Sequence, residues 1–219
     1  MASEAFAKTR EKRIETADIK LSKSLSYILR HGALKENLPV RSDGYISLPS
    51  ILSRPKFKGV QMSDIQRVVE KCEKQRFNLQ RENDAWFIRA NQGHSIQIDQ
   101  LDVKPITSAD RYPVVLHGTY SSVWPKIQEE GLKVMGRMHI HLATGKFGEA
   151  KSGVRRNCSV FIYINLKRAL EDGIEFSISE NGVVLTKGRH GVLSKEYFEG
   201  VEDRNGKVIW PEIVNDQAI

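Results

Sequence analysis

Cysteine is almost absent from this 219-residue chain, which contains only Cys72 and Cys158. Two cysteines with this spacing suit neither a disulfide framework nor a zinc site. Cys72 falls on the apolar stripe of a predicted helix, and Cys158 directly precedes an apolar strand-like run. Both are therefore predicted to be small core residues, and a reducing compartment is expected.

Long apolar runs are missing as well. No stretch reaches the length of a membrane span, and residues 1–13 lack the apolar centre of a secretory signal. We therefore expect an intracellular protein, in the cytoplasm or the nucleus, with no membrane partner. The basic opening of the chain fits a solvated tail, an RNA-contacting arm or an import signal, and the sequence leaves these three open.

Two nucleotide-binding motifs are also absent. The chain contains neither the glycine-rich dinucleotide fingerprint nor a P-loop, which disfavours a Rossmann fold or a nucleotide hydrolase. His139 and His141 offer only two ligands on one predicted strand, with no cysteine or acidic partner at a suitable spacing, so a zinc site is rejected. No metal is expected.

What the chain does contain is a surplus of positive charge. Its 34 Lys+Arg residues against 27 Asp+Glu give a formal net charge of +7, which is compatible with a polyanionic partner. Hydrophobic residues make up 40% of the chain, enough for most of it to fold. The length suits one large domain or two small ones, and we favour two.

The first half of the chain predicts two clear helices. Apolar residues at helical spacing indicate a helix over residues 18–32, which Gly32 would end. Ser63 and Gln66 form a capping-box pattern at the start of a second helix.

A β-hairpin is predicted to follow these helices. Two strand-like runs, Arg76–Gln80 and Ala85–Ala90, are separated by a polar turn. Helices followed by such a wing are typical of a winged-helix domain, which we assign to residues 1–96 together with a basic N-terminal tail. Residues 97–110 are polar and weakly periodic, so they are predicted to be a linker.

The second half, residues 111–219, predicts a compact α+β domain. Short buried strands alternate with helical segments, and Asn181-Gly182 supplies a hairpin turn. The predicted strands are 114–117, 139–142, 160–166, 176–179 and 183–186, and the predicted helices are 122–130 and 167–172.

Several basic residues are candidates for chemistry, although each has a simpler explanation when taken alone. Arg30 and His31 close the first predicted helix, where cations are favoured by the helix dipole. Arg76 lies where the second helix gives way to the wing, and Arg137 precedes a strand-like run that contains His139 and His141. Isolated charges in such places are most often solvated surface groups.

The triplet His117-Gly118-Thr119 ends an apolar strand-like run and leads into a helix. A glycine there lets the backbone approach a bound ligand closely, and a tight turn would explain it equally well.

Taken together, these segments resemble the tRNA 2′-phosphotransferase family. The resemblance extends from about Leu21 to Gly188, and its short motifs occur in the family's order. The matching segments are Leu21-Ser22-Lys23 through Leu29-Arg30-His31, Lys74-Gln75-Arg76-Phe77, Asn91-Gln92-Gly93-His94-Ser95, His117-Gly118-Thr119, Arg137 with His139-Ile140-His141-Leu142, Ser152-Gly153-Val154-Arg155, and Asp172-Gly173 with Asn181-Gly182-Val183. One departure is Ala143, where many relatives have serine.

The resemblance implies an N-terminal winged-helix domain followed by an ADP-ribosyltransferase-like domain. It assigns catalysis to Arg30, His31, Arg76 and Arg137, and contacts with RNA to Lys23, Lys74, Arg30, His31 and Arg76. Binding of NAD, a co-substrate, would fall to His117, Gly118, Thr119, His139, His141 and Arg155. The oligomeric state is taken as a monomer by default.

The reaction implied by the resemblance moves the internal 2′-phosphate of spliced RNA, tRNA above all, to NAD. It proceeds through an ADP-ribosylated RNA 2′-phosphate and yields 2′-hydroxyl RNA, nicotinamide and ADP-ribose 1″,2″-cyclic phosphate. Two alternatives stay open: a catalytically silent RNA-binding module, and an ADP-ribosyltransferase that stops after the first step. The intact set of three arginines and one histidine counts against the first of these.

Overall fold

The computed structural model describes the backbone of residues 2–146, 152–155 and 157–211, and the side chains of these residues from Ile14 onward. The chain divides into two compact units, Met1–Asp102 and Val103–Ile219. Both helices and strands are present, so the protein belongs to the mixed α and β class, as its sequence predicts.

The first unit begins with a long helix, α1 (Ala2–Tyr27), which passes directly into one π-helical turn, Ile28–Gly32. The helix therefore starts well before residue 18, where the apolar spacing predicts its beginning. Residues 2–17 contain no glycine or proline and are rich in alanine, glutamate, lysine and arginine, which are strong helix formers. The segment expected to be a tail thus continues the same helix.

Two further helices follow, α2 (Leu48–Leu52) and α3 (Met62–Glu70). The predicted capping pair of Ser63 and Gln66 is wrong, because Ser63 already lies inside α3. The Asp64 carboxylate instead accepts a hydrogen bond from the Gln61 backbone N–H at 2.9 Å. An acidic side chain in the first turn also favours the helix electrostatically.

The predicted hairpin is confirmed, with a longer first strand. Strands β1 (Ile46–Ser47), β2 (Phe77–Glu82) and β3 (Ala85–Ala90) form an antiparallel sheet in the order β1-β3-β2. The tight turn consists of Asn83 and Asp84, both at positive φ (45° and 64°). Two such residues form a type I′ turn, whose twist matches that of the strands it joins.

The second unit is built on a large sheet. Its described strands are joined in antiparallel pairs in the order β13-β12-β8-β5-β7-β10-β9-β4. The strands are β4 (Val103–Ile106), β5 (Val115–Thr119), β7 (Ile140–Thr144), β8 (Val160–Ile164), β9 (Phe176–Ser179), β10 (Val184–Thr186), β12 (Phe198–Asp203) and β13 (Val208–Trp210), while β6 (Leu132–Lys133) pairs with β11 (Val192–Leu193).

Helices α4 (Trp124–Glu130) and α5 (Leu166–Glu171) complete the unit close to their predicted positions. Part of the predicted linker, residues 97–110, is a strand. Val103–Ile106 forms the edge strand β4 and pairs with β9. The side chain of Ile106 is 5% exposed and belongs to the core. Burial of that residue and hydrogen bonding to β9 outweigh the weak local pattern of a segment with a proline.

The core of the second unit lies at the centre of the sheet. Leu142, Ile162 and Val184 are completely buried in one apolar cluster, and Cys158 packs with Leu116, Ala143 and Phe161 in another. Cys72 and Cys158 are both buried free cysteines, as predicted. Within the described ranges, every helix is too short or too polar to span a bilayer.

Candidate active site

Arg30 and His31 lie in the π-helical turn that ends α1. Ile28, Leu29 and Gly32 of this turn are buried, whereas Arg30 and His31 are half-buried. Single π-helical turns are rare and occur frequently at functional sites. The buried residues anchor the turn in the core of the first unit.

Gly32 does not end the helix in the predicted way. A glycine stop adopts positive φ, but Gly32 is not among the positive-φ residues of the described chain. Its missing side chain makes room for Tyr27, since a Cβ at Gly32 would lie 2.7 Å from Tyr27 Cε1. The Tyr27 ring lies 6.3 Å from the His31 ring, measured between centroids. Gly32 therefore allows an aromatic ring to pack beside His31.

The segment 91–96 contacts both the π-helical turn and Arg76. The Ser95 backbone N–H donates to the Arg30 carbonyl at 2.9 Å, and Ser95 Oγ lies 2.8 Å from His31 Nδ1. The Asn91 backbone N–H donates to the Arg76 carbonyl at 2.9 Å. Four residues of extended chain span at most roughly 14 Å. The first unit therefore brings the backbones of Arg30, His31 and Arg76 to one region.

Gly93, in the middle of this segment, supports the Arg30 side chain. It has φ +92°, and a Cβ there would lie 3.3–3.4 Å from Arg30 Nε, Cδ and Cζ. Glycine is the residue that adopts this conformation without strain and leaves room for the guanidinium. The close approach restricts where Arg30 can point.

Arg76 is held at the start of β2 by the turn that follows α3. Its backbone N–H donates to Cys72 Sγ at 3.4 Å, and its Nη1 donates to the same sulfur at 3.3 Å. The preceding residue, Gln75, has positive φ (43°). A neutral sulfur is a weak acceptor and leaves the charge of the guanidinium uncompensated.

The two lysines of the predicted set occupy different surroundings. Lys23 is exposed on α1, and Lys74 is half-buried in the turn two residues before Arg76. Both belong to the first unit, together with Arg30, His31 and Arg76.

In the second unit, His117, Gly118 and Thr119 form the end of β5, a central strand. His117 Nδ1–H donates to the His141 carbonyl at 3.0 Å, because a carbonyl can only accept. Burial lowers the pKa of His117, and the nearby charges of Arg137 and Arg155 lower it further. His117 is therefore a neutral imidazole near pH 7, with Nε2 as an acceptor.

Gly118 and Gly153 hold the segment 152–155 against the sheet. A Cβ at Gly118 would lie 2.7 Å from Val154 Cγ1, and one at Gly153 would lie 2.8 Å from Ala143 Cβ. Gly153 also has φ +93°. A side chain larger than alanine at position 143 would crowd Gly153. Ala143, where many relatives have serine, therefore fits the glycine that packs against it.

Arg137 and Arg155 act on each other and on His117. Arg137 lies in the turn after β6, and Arg155 is exposed in the segment after Gly153. Burial lowers the pKa of Arg137, and the positive charge of Arg155 lowers it further. Such a cluster of positive charge is relieved by a bound anion.

The remaining predicted residues lie on or beside the same strands. His139 immediately precedes β7, so the predicted strand begins one residue too early. Its pKa is lowered by burial and by the charge of Lys187. His141 and Thr119 are buried, and the His141 carbonyl is the acceptor for His117. The second unit thus brings together His117, His141, Arg137 and Arg155.

The arginines at the two candidate sites differ from four other arginines of the chain. Arg41, Arg67, Arg81 and Arg89 each have a carboxylate oxygen within 2.6–2.8 Å. Within the described residues, Arg76, Arg137 and Arg155 form no ion pair with a carboxylate. Planar guanidinium groups without an acid partner suit phosphate, which they bind through two parallel hydrogen bonds.

Sequence reasoning missed the residues that hold these side chains in place. Ser95 and Gly93 lie within a motif of the resemblance, but no role was assigned to them. Cys72 was assigned to the core alone, although its position four residues before Arg76 was a usable signal. No group of three or more potential metal ligands occurs in the described part of the chain.

These features describe a mixed α and β protein with a cluster of basic side chains in each unit, and comparison with known proteins identifies the family. The family model described as "RNA 2′-phosphotransferase, Tpt1 / KptA family" matches residues 16–188. The chain belongs to this family.

Curated relatives agree with this membership. A Schizosaccharomyces pombe protein, named as a candidate tRNA 2′-phosphotransferase, is 45% identical over 190 residues, which is 86% of this chain and 52% of that protein. The chain thus spans about half the length of that relative. The proteins named tRNA 2′-phosphotransferase 1 are 46% identical in Danio rerio, over 84% of this chain and 85% of that protein, and 45% identical in Homo sapiens, over 85% and 76% respectively.

Proposed function

We propose that this chain is an NAD-dependent RNA 2′-phosphotransferase that removes the internal 2′-phosphate of spliced tRNA. The proposal rests above all on the arginines without carboxylate partners, Arg76 in the first unit and Arg137 with Arg155 in the second. Membership of the family and the names of its relatives support the same reaction. An intracellular location, in cytoplasm or nucleus, accompanies this function.

The proposed architecture is a winged helix in the first unit and an ADP-ribosyltransferase-like fold in the second. The sequence of helices followed by the β2–β3 wing supports the former. The antiparallel sheet that carries His117 and His141 on neighbouring strands supports a ligand site in the latter.

The first unit would bind the 2′-phosphate. Arg30 and Arg76 supply hydrogen-bond donors for its oxygens, and Lys23 and Lys74 add positive charge for the RNA backbone. His31 would orient the phosphate or take the proton of the hydroxyl that attacks phosphorus in the second step. Each charge-assisted hydrogen bond contributes roughly 1.5–3 kcal/mol. These are net contributions, with the desolvation of both partners already included, so two or three of them favour binding of the phosphate.

The second unit would bind NAD as a co-substrate. Arg155 suits its anionic pyrophosphate, and the neutral, half-buried His117 suits a polar group without charge. Arg137, which lies close to both, would stabilise the charge at the transferred phosphorus. Gly118 and Thr119 would contribute backbone groups at the end of β5, and His139 lies beside this cluster. The residues present therefore fit an anionic dinucleotide.

In the first step, an oxygen of the RNA 2′-phosphate attacks the nicotinamide-bearing carbon of the ribose, and nicotinamide leaves. In the second step, the adjacent ribose hydroxyl attacks phosphorus and the bond to the RNA 2′-oxygen breaks. Repaired RNA takes up a proton on that oxygen, and ADP-ribose 1″,2″-cyclic phosphate is released. Arginines stabilise the charge that develops at phosphorus, and no step needs a metal.

The decisive experiment is product analysis. The protein is incubated with NAD and an oligoribonucleotide that carries one internal 2′-phosphate, and the products are identified by mass. We expect 2′-hydroxyl RNA, nicotinamide and ADP-ribose 1″,2″-cyclic phosphate. Inorganic phosphate released without NAD would indicate a phosphatase instead, and an ADP-ribosylated end product would indicate a transferase that stops after the first step.

RNA binding by the first unit can be tested separately. Because contacts with backbone phosphates displace counterions, the affinity for RNA should fall steeply with salt, by about 10³-fold or more for six contacts between 50 and 200 mM salt. An affinity that does not change with salt would show that the surplus of lysine and arginine is only solubilising surface.

A further inference from the structure

The hydroxyl group of Ser95 lies between two groups of the π-helical turn. Its Oγ is 2.8 Å from His31 Nδ1 and 3.4 Å from the Arg30 carbonyl oxygen. The same carbonyl also accepts the Ser95 and Ile96 backbone N–H groups, at 2.9 and 3.4 Å. Carbonyls near the end of a helix lack partners within the helix. Segment 91–96 supplies partners for this one.

The Arg30 carbonyl oxygen offers the Ser95 hydroxyl an acceptor at 3.4 Å, a long hydrogen-bond distance, whereas His31 Nδ1 at 2.8 Å can donate or accept. A hydroxyl has one proton to donate and two lone pairs to accept with, whereas a carbonyl oxygen can only accept. If the Ser95 proton is donated to the Arg30 carbonyl, the remaining lone pairs of Oγ face His31. Nδ1 of His31 must then carry the proton in the 2.8 Å contact.

We propose that Ser95 is a positioning residue that fixes the tautomer of His31 with its proton on Nδ1, so that the reacting nitrogen is Nε2. This inference rests on the proposed function, in which His31 acts on the phosphate or on the attacking hydroxyl. Two hydrogen bonds follow in series: His31 Nδ1–H donates to Ser95 Oγ, and Ser95 Oγ–H donates to the Arg30 carbonyl. It also couples the orientation of His31 to the backbone that carries Arg30.

In this tautomer His31 can act as a base in the second step without first moving a proton. Nε2 lies on the opposite edge of the imidazole and, in this tautomer, has a lone pair. The ribose hydroxyl forms a new bond to phosphorus and passes its proton to Nε2, while the bond from phosphorus to the RNA 2′-oxygen breaks. That oxygen takes up a proton from water, and Nε2 afterwards returns its proton to the solvent. The imidazolium formed at His31 still donates Nδ1–H to Ser95, so the same contact stabilises it.

The tautomer can be observed directly in the free protein. The protein is labelled with ¹⁵N-histidine, and two-bond ¹H–¹⁵N spectra are recorded at a pH where imidazole is neutral. We expect His31 to show a protonated Nδ1 and an unprotonated Nε2, and the Ser95→Ala variant to shift toward the other tautomer. A protonated Nε2 in the unaltered protein, or an unchanged spectrum in the variant, would overturn the proposal.

Kinetics provide the second readout. Ser95→Ala keeps the backbone N–H bonds to the Arg30 carbonyl and removes only the hydroxyl, so the second step should slow roughly 3- to 10-fold, the range expected for one hydrogen bond. Ser95→Thr restores a hydroxyl and should recover most of the rate. Failure of threonine to restore both the spectrum and the rate would refute a role for the hydroxyl.

Ser42→Ala is a matched control, because Ser42, like Ser95, is an exposed serine of the first unit, and its Oγ donates to Gln100 Oε1 at 3.0 Å. It should leave both the His31 spectrum and the rate unchanged. The two proposals fail separately: an unaltered protein with no transferase products refutes the proposed function, whereas the His31 spectrum tests the tautomer without any turnover.

Discussion

Arginines of two regions of this molecule are treated in opposite ways. On the first unit, Arg67 donates to both oxygens of Asp18 and to Asp64, and Arg41 bridges Asp43 and Glu82. At the candidate site of each unit, Arg76 and Arg137 have no carboxylate partner within the described residues. The first group is paired with carboxylates in the folded protein, whereas the proposed function assigns the second group to phosphate.

The difference shows how the same side chain serves two purposes. An arginine with an acid partner contributes to stability and has little positive charge left to attract an anion. An arginine that bonds to a cysteine sulfur and has no carboxylate partner among the described residues, as Arg76 does, keeps its charge and its preferred direction. Substitution of an arginine with an acid partner should therefore lower stability, whereas substitution of Arg76 or Arg137 should lower activity.

The largest effect is expected at Arg137. Arg137→Ala should slow the second step about 10²- to 10³-fold, because it removes charge stabilisation at phosphorus. ADP-ribosylated RNA should accumulate in single-turnover assays. Because Arg137 has no ion pair within the described residues, its unfolding midpoint in urea should change little.

Arg137→Lys keeps the charge but loses the planar pair of donors, so it should recover only part of the rate. Prompt release of 2′-hydroxyl RNA by Arg137→Ala would contradict the assignment.

Gly93 offers the next largest effect. Gly93→Ala introduces a Cβ 3.3–3.4 Å from the Arg30 guanidinium and its neighbouring atoms, and should reduce turnover roughly tenfold. Gly59→Ala is the matched control, since Gly59 also has positive φ (82°) but a Cβ there would meet nothing within 4 Å. Both variants carry a similar backbone strain of about 1–2 kcal/mol, measured by urea unfolding. Equal losses of activity in the two would refute a link between Gly93 and Arg30.

Arg67→Ala should lower the stability of the protein and leave its activity nearly unchanged, the opposite of what is expected for Arg137→Ala. It removes hydrogen bonds to Asp18 and Asp64, whose charge-assisted strength is reduced by partial exposure to solvent, and should cost about 1 kcal/mol of unfolding free energy. The measurement is the urea midpoint, with kcat determined on the folded enzyme. A large fall in kcat at unchanged stability would remove the distinction between the two groups.

The smallest effect concerns pH. Because the pKa of His117 is lowered by burial, the unfolded chain binds a proton below about pH 6.5 that the folded chain excludes. Stability is therefore complete above that pH and declines as the pH falls below it, with a slope of at most about 1.4 kcal/mol per pH unit for one site. His117→Gln should flatten this decline in the urea midpoint.

His139, whose pKa is also lowered by burial, should contribute in the same direction, so that the double variant is flatter still. Asp64, a partner of Arg67, should make stability depend on pH only in a more acidic range. The Gln61 backbone N–H and the Arg67 side chain both lower the pKa of its carboxyl group. An unchanged slope in His117→Gln would show that this histidine is not kept neutral by the fold.

Local patterns predicted the elements whose signals were strong. The wing and the strands beside His117 and His141 follow from alternation and turn residues, and Asn83-Asp84 forms the expected tight turn. The π-helical turn was not predictable, because nothing in the local pattern distinguishes it from an α-helix. The strand β4 was missed because it depends on hydrogen bonds to β9, seventy residues further along the chain.

The candidate site was predictable only in part, for a similar reason. Arg30, His31, Arg76 and Arg137 were identified as a set through the resemblance, not through any local pattern. The contacts that orient them within each unit, from Ser95 to His31 and from Cys72 to Arg76, join residues by packing. Such contacts leave no mark in sequence periodicity.

The most direct test is the affinity for the phosphate itself. Binding of two oligoribonucleotides, identical except for one internal 2′-phosphate or 2′-hydroxyl, is measured for the unaltered protein, Arg76→Ala and Arg67→Ala at one salt concentration. The unaltered protein and Arg67→Ala should both prefer the 2′-phosphate by at least about tenfold, the equivalent of one charge-assisted hydrogen bond, and Arg76→Ala should lose most of that preference. Equal affinity of the unaltered protein for both oligonucleotides, or a preference that survives in Arg76→Ala, would contradict the account.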